Sequence, residues 1–97
     1  MYVGTLSFDL LLGDVHSLKE KRSLVRPIVA ELRRKYAVSV AETGNQHLHR
    51  RAEIGLAAVS GDTGHLAELL DSCERLVAGR PEVELLSVRR RLHRDDD

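Results

Sequence analysis

The chain has 97 residues, of which 42% are hydrophobic and 31% charged, and its 15 basic and 15 acidic side chains give a formal net charge of zero. This length supports one hydrophobic core, and the charge balance excludes a protein that binds nucleic acid or membranes through its overall charge. Cys73 is the only cysteine, which excludes an intramolecular disulfide and fits a reducing compartment. No apolar run reaches the roughly 20 residues of a membrane span, and the first residues lack the basic region of a signal peptide. We therefore expect a cytoplasmic protein with no membrane partner.

The first predicted element is a β-strand over residues 2–12. Apolar and polar side chains alternate along it, which is typical of a strand with one buried face. A turn with the sequence GDVHS follows, and Ser17 is predicted to cap the first helix. Ser17 and Glu20 have the spacing of a capping box, in which each side chain accepts a hydrogen bond from the backbone N–H of the other residue.

The first helix is predicted to end near Lys35 or Tyr36, because apolar residues recur at three- and four-residue steps up to that point. Pro27 lies inside this pattern and removes the backbone hydrogen bond to the Ser23 carbonyl. We therefore expect either a kink near Ser23–Arg26 or a restart of the helix with Pro27 in its first turn.

The rest of the chain gives four more elements. The β-branched stretch 37–43 and the stretch 50–61 predict two strands joined as a hairpin. A second helix is predicted to begin at Asp62 or Thr63 and to stop at Gly79. A last strand over 82–92 is followed by an acidic C-terminal tail, 93–97.

This order predicts an α+β protein with a ferredoxin-like β-α-β-β-α-β sandwich. Right-handed crossovers place both helices on one face of a four-stranded antiparallel sheet, within a single domain over residues 1–92. The other sheet face is left open, and its small and mixed-charge side chains favour self-association or a partner interface over a catalytic pocket. The residues expected on the open face are Thr5, Ser7, Asp9, Glu53, Gly55, Ala57 and, depending on the register of the last strand, either Arg89 with Arg91 or their neighbours.

The first helix carries a concentration of basic side chains. At about 100° per residue, four of them fall within roughly 60° of one another, beside the apolar stripe: Lys19, Arg22, Arg26 and Arg33. One interpretation is a solvated flank whose aliphatic stems cover the edge of the core. The other is an anion site, in which the helix start and its cations bind phosphate or an RNA backbone. The predicted anion- or RNA-binding residues are Lys19, Lys21, Arg22 and Arg26, with Arg50 and Arg51 as helpers, although Lys21 leans toward the core side.

Other chemistry has weaker support in the sequence. His47 and His49 would face the same way in an extended segment and could join His16 at a metal, but no carboxylate or cysteine stands at a recognised ligand spacing. Cys73 lies on the apolar stripe of the second helix and is predicted to be a buried hydrophobe. The sheet lacks the aromatic residues on which RNA-recognition motifs stack bases. We therefore predict no catalytic residue, no metal site and no cofactor.

The blocks HSLKEKRSLV, LRRKYAVSVAET and RAEIGLAAVS resemble the bacterial YlxP-like family, a domain of unknown function. The resemblance covers nearly the whole chain. It implies a ferredoxin-like fold, no assigned enzymatic activity, and genes that often lie beside those of translation initiation factor two and ribosome-binding factor A. The chain departs from the family in the hairpin loop, where relatives read QDLWQRA and this sequence reads QHLHRRA. His47 then replaces an acid and His49 an aromatic residue.

Two hypotheses of function follow. The first is a non-enzymatic binding protein in ribosome maturation or translation, which uses the basic helix surface to contact ribosomal RNA or a ribosome-assembly protein. The alternative is a structural or regulatory homo-oligomer, associated through the open sheet face, that binds a small anionic ligand such as a nucleotide at the start of the first helix.

Overall fold

A computed structural model of the protein describes residues 1–96. The strands are β1 (Tyr2–Leu12), β2 (Ser39–Gly44), β3 (Arg51–Ser60) and β4 (Val83–Arg94), and the helices are α1 (Leu18–Lys35) and α2 (Thr63–Ala78). This order and the antiparallel four-stranded sheet confirm the predicted ferredoxin-like α+β fold. Within residues 1–96, neither helix is long and apolar enough to cross a membrane.

The sheet is built around β1. The strand order is β2-β3-β1-β4, and β1 pairs with β3 on one side and β4 on the other. Four large side chains on one face of β1 are at most 1% exposed: Leu6, Phe8, Leu10 and Leu12. They share one core with the buried residues of both helices, so the helical layer covers this face and the alternation of β1 determines which face is covered.

Strand β4 is longer than the sequence predicts. His93 and Arg94 pair with Val3 and Tyr2 of β1, and the N–H of Asp95 donates to the carbonyl of Met1 at 3.1 Å. The alternation of apolar and polar side chains ends at Leu92. The backbone of β1 still offers hydrogen-bond partners beyond that point, so the strand continues beside it. Of the residues predicted as an acidic tail, Asp97 lies outside the described residues.

Helix α1 begins as predicted and passes through Pro27 without a restart. The Oγ of Ser17 accepts from the N–H of Glu20 at 3.1 Å, as a capping box requires. The reciprocal bond differs from the prediction, because the Glu20 carboxylate accepts from the N–H of His16, also at 3.1 Å, and not from that of Ser17.

Lys21 is the one buried charged residue of the described chain, with 2% of its surface exposed. Its ammonium donates to the carbonyls of Asn45 and Leu48 at 2.6 and 2.8 Å and lies 3.4 Å from a carboxylate oxygen of Glu42. The prediction that Lys21 binds an external anion is therefore corrected. Its donors are used inside the protein, where they hold the β2–β3 loop against the first turns of α1.

Gly4 lets α2 approach the sheet closely. A Cβ atom at this position would lie 2.8 Å from Cδ1 of Leu70 and 3.1 Å from Cγ of Leu66. Both leucines are fully buried, so neither can move aside without disturbing its neighbours.

We expect Lys21→Met to lower the free energy of unfolding by about 2–4 kcal/mol. The substitution removes the ammonium and so leaves two carbonyls and a carboxylate without their donor. Lys19→Met is the matched control, since Lys19 is exposed on the same helix, and it should change stability by less than about 0.5 kcal/mol. Urea unfolding measures both. Equal stability of the two variants would show that the buried ammonium contributes nothing.

Gly4→Ala should destabilise the protein by about 1–3 kcal/mol, because the added methyl group overpacks the contact with α2. Gly13→Ala provides the comparison: a Cβ at Gly13 meets nothing within 4 Å. That variant should stay within about 0.5 kcal/mol of the parent. Thermal unfolding of the pair tests this, and a stable Gly4→Ala protein would contradict the close approach.

Candidate nucleic-acid interface on helix α1

Three exposed cations, Lys19, Arg22 and Arg26, form a line along the first half of α1; we call them the α1 basic surface. They are spaced at three and four residues, so they share one side of the helix and span about 10 Å along its axis. Within residues 1–96, none of the three side chains makes a hydrogen bond or an ion pair. Their charges are therefore available to a ligand.

Arg33, which the helical angle groups with these cations, has a different role. Its Nη2 donates to the carbonyl of Val40 at 2.9 Å, so the guanidinium ties the end of α1 to β2. The α1 basic surface therefore ends at Arg26.

The start of α1 already holds an anion of the protein itself. The Glu20 carboxylate lies in the first turn and accepts from the N–H of His16, while Ser17 caps the N–H of Glu20. A carboxylate at this place complements the positive end of the helix dipole. This arrangement disfavours the alternative hypothesis, in which a small anion binds at the helix start.

The two predicted helper residues lie away from the α1 basic surface. Arg50 is exposed, and its Nε donates to the carbonyl of Gly13 at 3.1 Å, which fixes the turn before α1. Arg51 lies on the open sheet face in an ion pair with Asp9. The hydrogen bond to Asp9, and then its charge, raise the pKa of the Arg51 guanidinium above its ordinary value, so this cation is bound within the protein.

A cavity of about 360 Å³ lies where the first turns of α1 meet the end of β2 and the loop after it. It is lined by Leu18, Lys21, Arg22, Glu42, Gln46 and His47. Arg22 thus belongs both to this cavity and to the α1 basic surface. Glu42 and Gln46 were not predicted from the sequence. The position of Lys21 on the core side of α1 was the available signal, because a buried ammonium requires an acceptor.

The histidines and the cysteine show no constellation for metal chemistry. Among residues 1–96, no three histidine, cysteine or acidic side chains converge as a metal site. His16 contacts Asp14 at 3.1 Å, and His47 and His49 are exposed in the loop after β2. Cys73 is fully buried, and burial raises the pKa of its thiol above the ordinary value, which makes it a poor nucleophile.

The open sheet face carries the predicted residues and forms a shallow, open depression of about 530 Å³. Glu53 accepts hydrogen bonds from the hydroxyls of Ser7 and Thr43 at 3.2 and 3.1 Å. Arg89 and Arg91 are exposed along its β4 side. Self-association through this face stays a prediction.

Two solved structures with similar folds are designed proteins. Over 98% of this chain, the de novo designed protein Foldit4 matches with a TM-score of 0.57 and 14% identity, and 99% of that chain is covered. The de novo designed protein LFR1 1, described as having a ferredoxin fold, matches over 98% of this chain and 88% of its own, with a TM-score of 0.51 and 11% identity. These likenesses concern the fold alone.

The amino-acid sequence itself identifies relatives. The chain is 30% identical over 82 residues to the uncharacterized protein YlxP of Bacillus subtilis (strain 168), a match that covers 84% of this chain and 89% of the relative. The model of a family described as protein of unknown function, DUF503, matches residues 3–90. The resemblance to YlxP-like proteins is thereby confirmed, and the chain belongs to the DUF503 family.

Proposed function

We propose that the protein is a non-enzymatic RNA-binding module that contacts RNA phosphates through the α1 basic surface. The observation that carries this proposal is that Lys19, Arg22 and Arg26 are exposed, aligned and without an ionic partner in the described chain. Lys21, Lys35 and Arg80 each have carboxylate partners. Arg34, Arg89 and Arg91 are also exposed and unpaired among the described residues, but they lie outside this line.

The position of these cations supports a binding function over a stabilising one. Lys19 and Arg22 lie in the first turns of α1, where the helix dipole disfavours positive charge. They also make no contact that would offset this cost, since neither side chain bonds to another part of residues 1–96. A phosphate bound to these side chains would pair their charges.

The chemistry of the surface determines what it recognises. Lysine and arginine side chains that contact phosphates position a nucleic acid but do not read its sequence. The axial separations along α1, about 4.5 Å and 6 Å, place consecutive cations close enough for one strand to contact all three. Binding by this surface alone is therefore dominated by counterion release and weakens as salt increases.

We place this activity in ribosome maturation or translation, the process that the resemblance to YlxP-like proteins implies. Ribosomal RNA is the partner that this process supplies, and the α1 basic surface offers it contacts to backbone phosphates. Such a role would be carried out in the cytoplasm. A ribosome-assembly protein as partner becomes the conclusion if binding survives removal of RNA.

The triple variant Lys19→Ala, Arg22→Ala, Arg26→Ala should bind RNA about tenfold more weakly or worse at low salt. For single-stranded RNA, the slope of log affinity against log salt should become shallower by about 2 units, because three phosphate contacts are lost. Fluorescence anisotropy with labelled ribosomal RNA fragments measures both quantities, and circular dichroism verifies that the variant is folded.

The matched control is Arg34→Ala, Lys35→Ala, Arg75→Ala, which also removes three positive charges from exposed helical positions. It should retain most of the affinity and the original salt slope. If both variants lose affinity equally, binding follows overall charge and not the α1 basic surface. If the parent protein binds no RNA, the proposed function is wrong.

A further inference from the structure

The cavity beside α1 contains more kinds of chemistry than a phosphate site needs. Its lining includes one apolar side chain, an imidazole, a primary amide and a carboxylate: Leu18, His47, Gln46 and Glu42. Its volume of about 360 Å³ falls within the range of small-ligand sites.

The Lys21 ammonium is not free to bind a ligand in this cavity, and Arg22 is the only cation of the lining that has no partner among the described residues. The Lys21 ammonium has three donors, and they face the carbonyls of Asn45 and Leu48 and the Glu42 carboxylate. That ammonium is therefore satisfied. Glu42 adds a negative charge, and its other carboxylate oxygen has no hydrogen-bond partner among the described residues. A ligand with N–H donors can satisfy this acceptor.

The other lining groups match a flat heterocycle. The His47 side chain is exposed, and an imidazole plane stacks readily on an unpaired nucleobase. Leu18 provides apolar contact. One N–H of the Gln46 amide donates to the Glu42 carbonyl at 3.4 Å, which leaves its second N–H and its oxygen for a base edge. Arg22 is shared with the α1 basic surface, so a strand whose phosphates lie on that surface has a base within reach of the cavity.

We propose that this cavity binds a single unpaired guanine of the RNA held by the α1 basic surface. Guanine is the one standard base whose pairing edge carries two adjacent donors, N1–H and N2–H. The free oxygen of Glu42 can accept one of them and the oxygen that also faces Lys21 can accept the other, while His47 packs on the face of the base. Adenine and cytosine place an acceptor beside their single amino group, and uracil places a carbonyl on each side of its N3–H, so each of these would set a lone pair against the carboxylate. The inference rests on the proposed function and adds base selectivity to it.

The test compares short labelled oligouridine with the same oligonucleotide carrying one central guanine, adenine or cytosine, by fluorescence anisotropy. The parent protein should bind the guanine oligonucleotide about tenfold more tightly than oligouridine. His47→Ala should reduce this preference, and Glu42→Gln should abolish it, because the amide replaces one acceptor with a donor. His49→Ala is the matched control, since His49 is an exposed histidine of the same loop that does not line the cavity.

The outcomes separate the two proposals. Equal affinity for all four oligonucleotides, with salt-dependent binding intact, overturns the guanine site and leaves the α1 basic surface standing. Loss of the preference in His49→Ala as well as in His47→Ala overturns its assignment to the cavity. Absence of binding to every oligonucleotide overturns the proposed function itself. Because His47 is exposed, its variant folds whether or not Glu42→Gln does.

Discussion

The packing of α1 against β2 and the β2–β3 loop depends on the contacts of the buried Lys21 ammonium. An unpaired ammonium in the interior would be very costly, so the chain must bring acceptors to it. It does so with two backbone carbonyls of the β2–β3 loop and with Glu42 of β2. The loop is therefore fixed against the first turns of α1, and the side chains of Gln46 and His47 are set beside Arg22. The cavity is a consequence of how one charge is satisfied.

The same contact separates two kinds of cation that look alike in the sequence. Lys21 and Arg22 are neighbours, yet one is 2% exposed and the other projects into solvent. A step of one residue on a helix is a rotation of about 100°, enough to move a side chain from the core side to the surface. The number of basic residues in a stretch of sequence thus overstates the number of cations that a ligand can contact.

Much of the architecture was predictable, because it depends on local patterns. Three predicted features depend only on residues close together in the sequence, and they agree with the observed elements. They are the alternation in β1, the Ser17 cap and the end of α2 at Gly79. Individual side-chain contacts between distant residues were not predictable. The pairing of Arg51 with Asp9 joins positions 42 residues apart, and nothing in either local sequence selects the other. The candidate site could therefore be predicted in part. Its exposed cations follow from helical periodicity, whereas the position of Glu42 in the cavity lining depends on a tertiary contact.

Cys73 has a consequence for studying this protein. Its thiol is buried in the layer between α2 and the sheet, and it is the only one in the chain. A thiol reagent can reach it only when that layer separates, so the rate of alkylation reports how often α2 leaves the sheet. Cys73 is thus a built-in probe for the opening of the core, and its alkylation can be measured without altering any residue of the α1 basic surface.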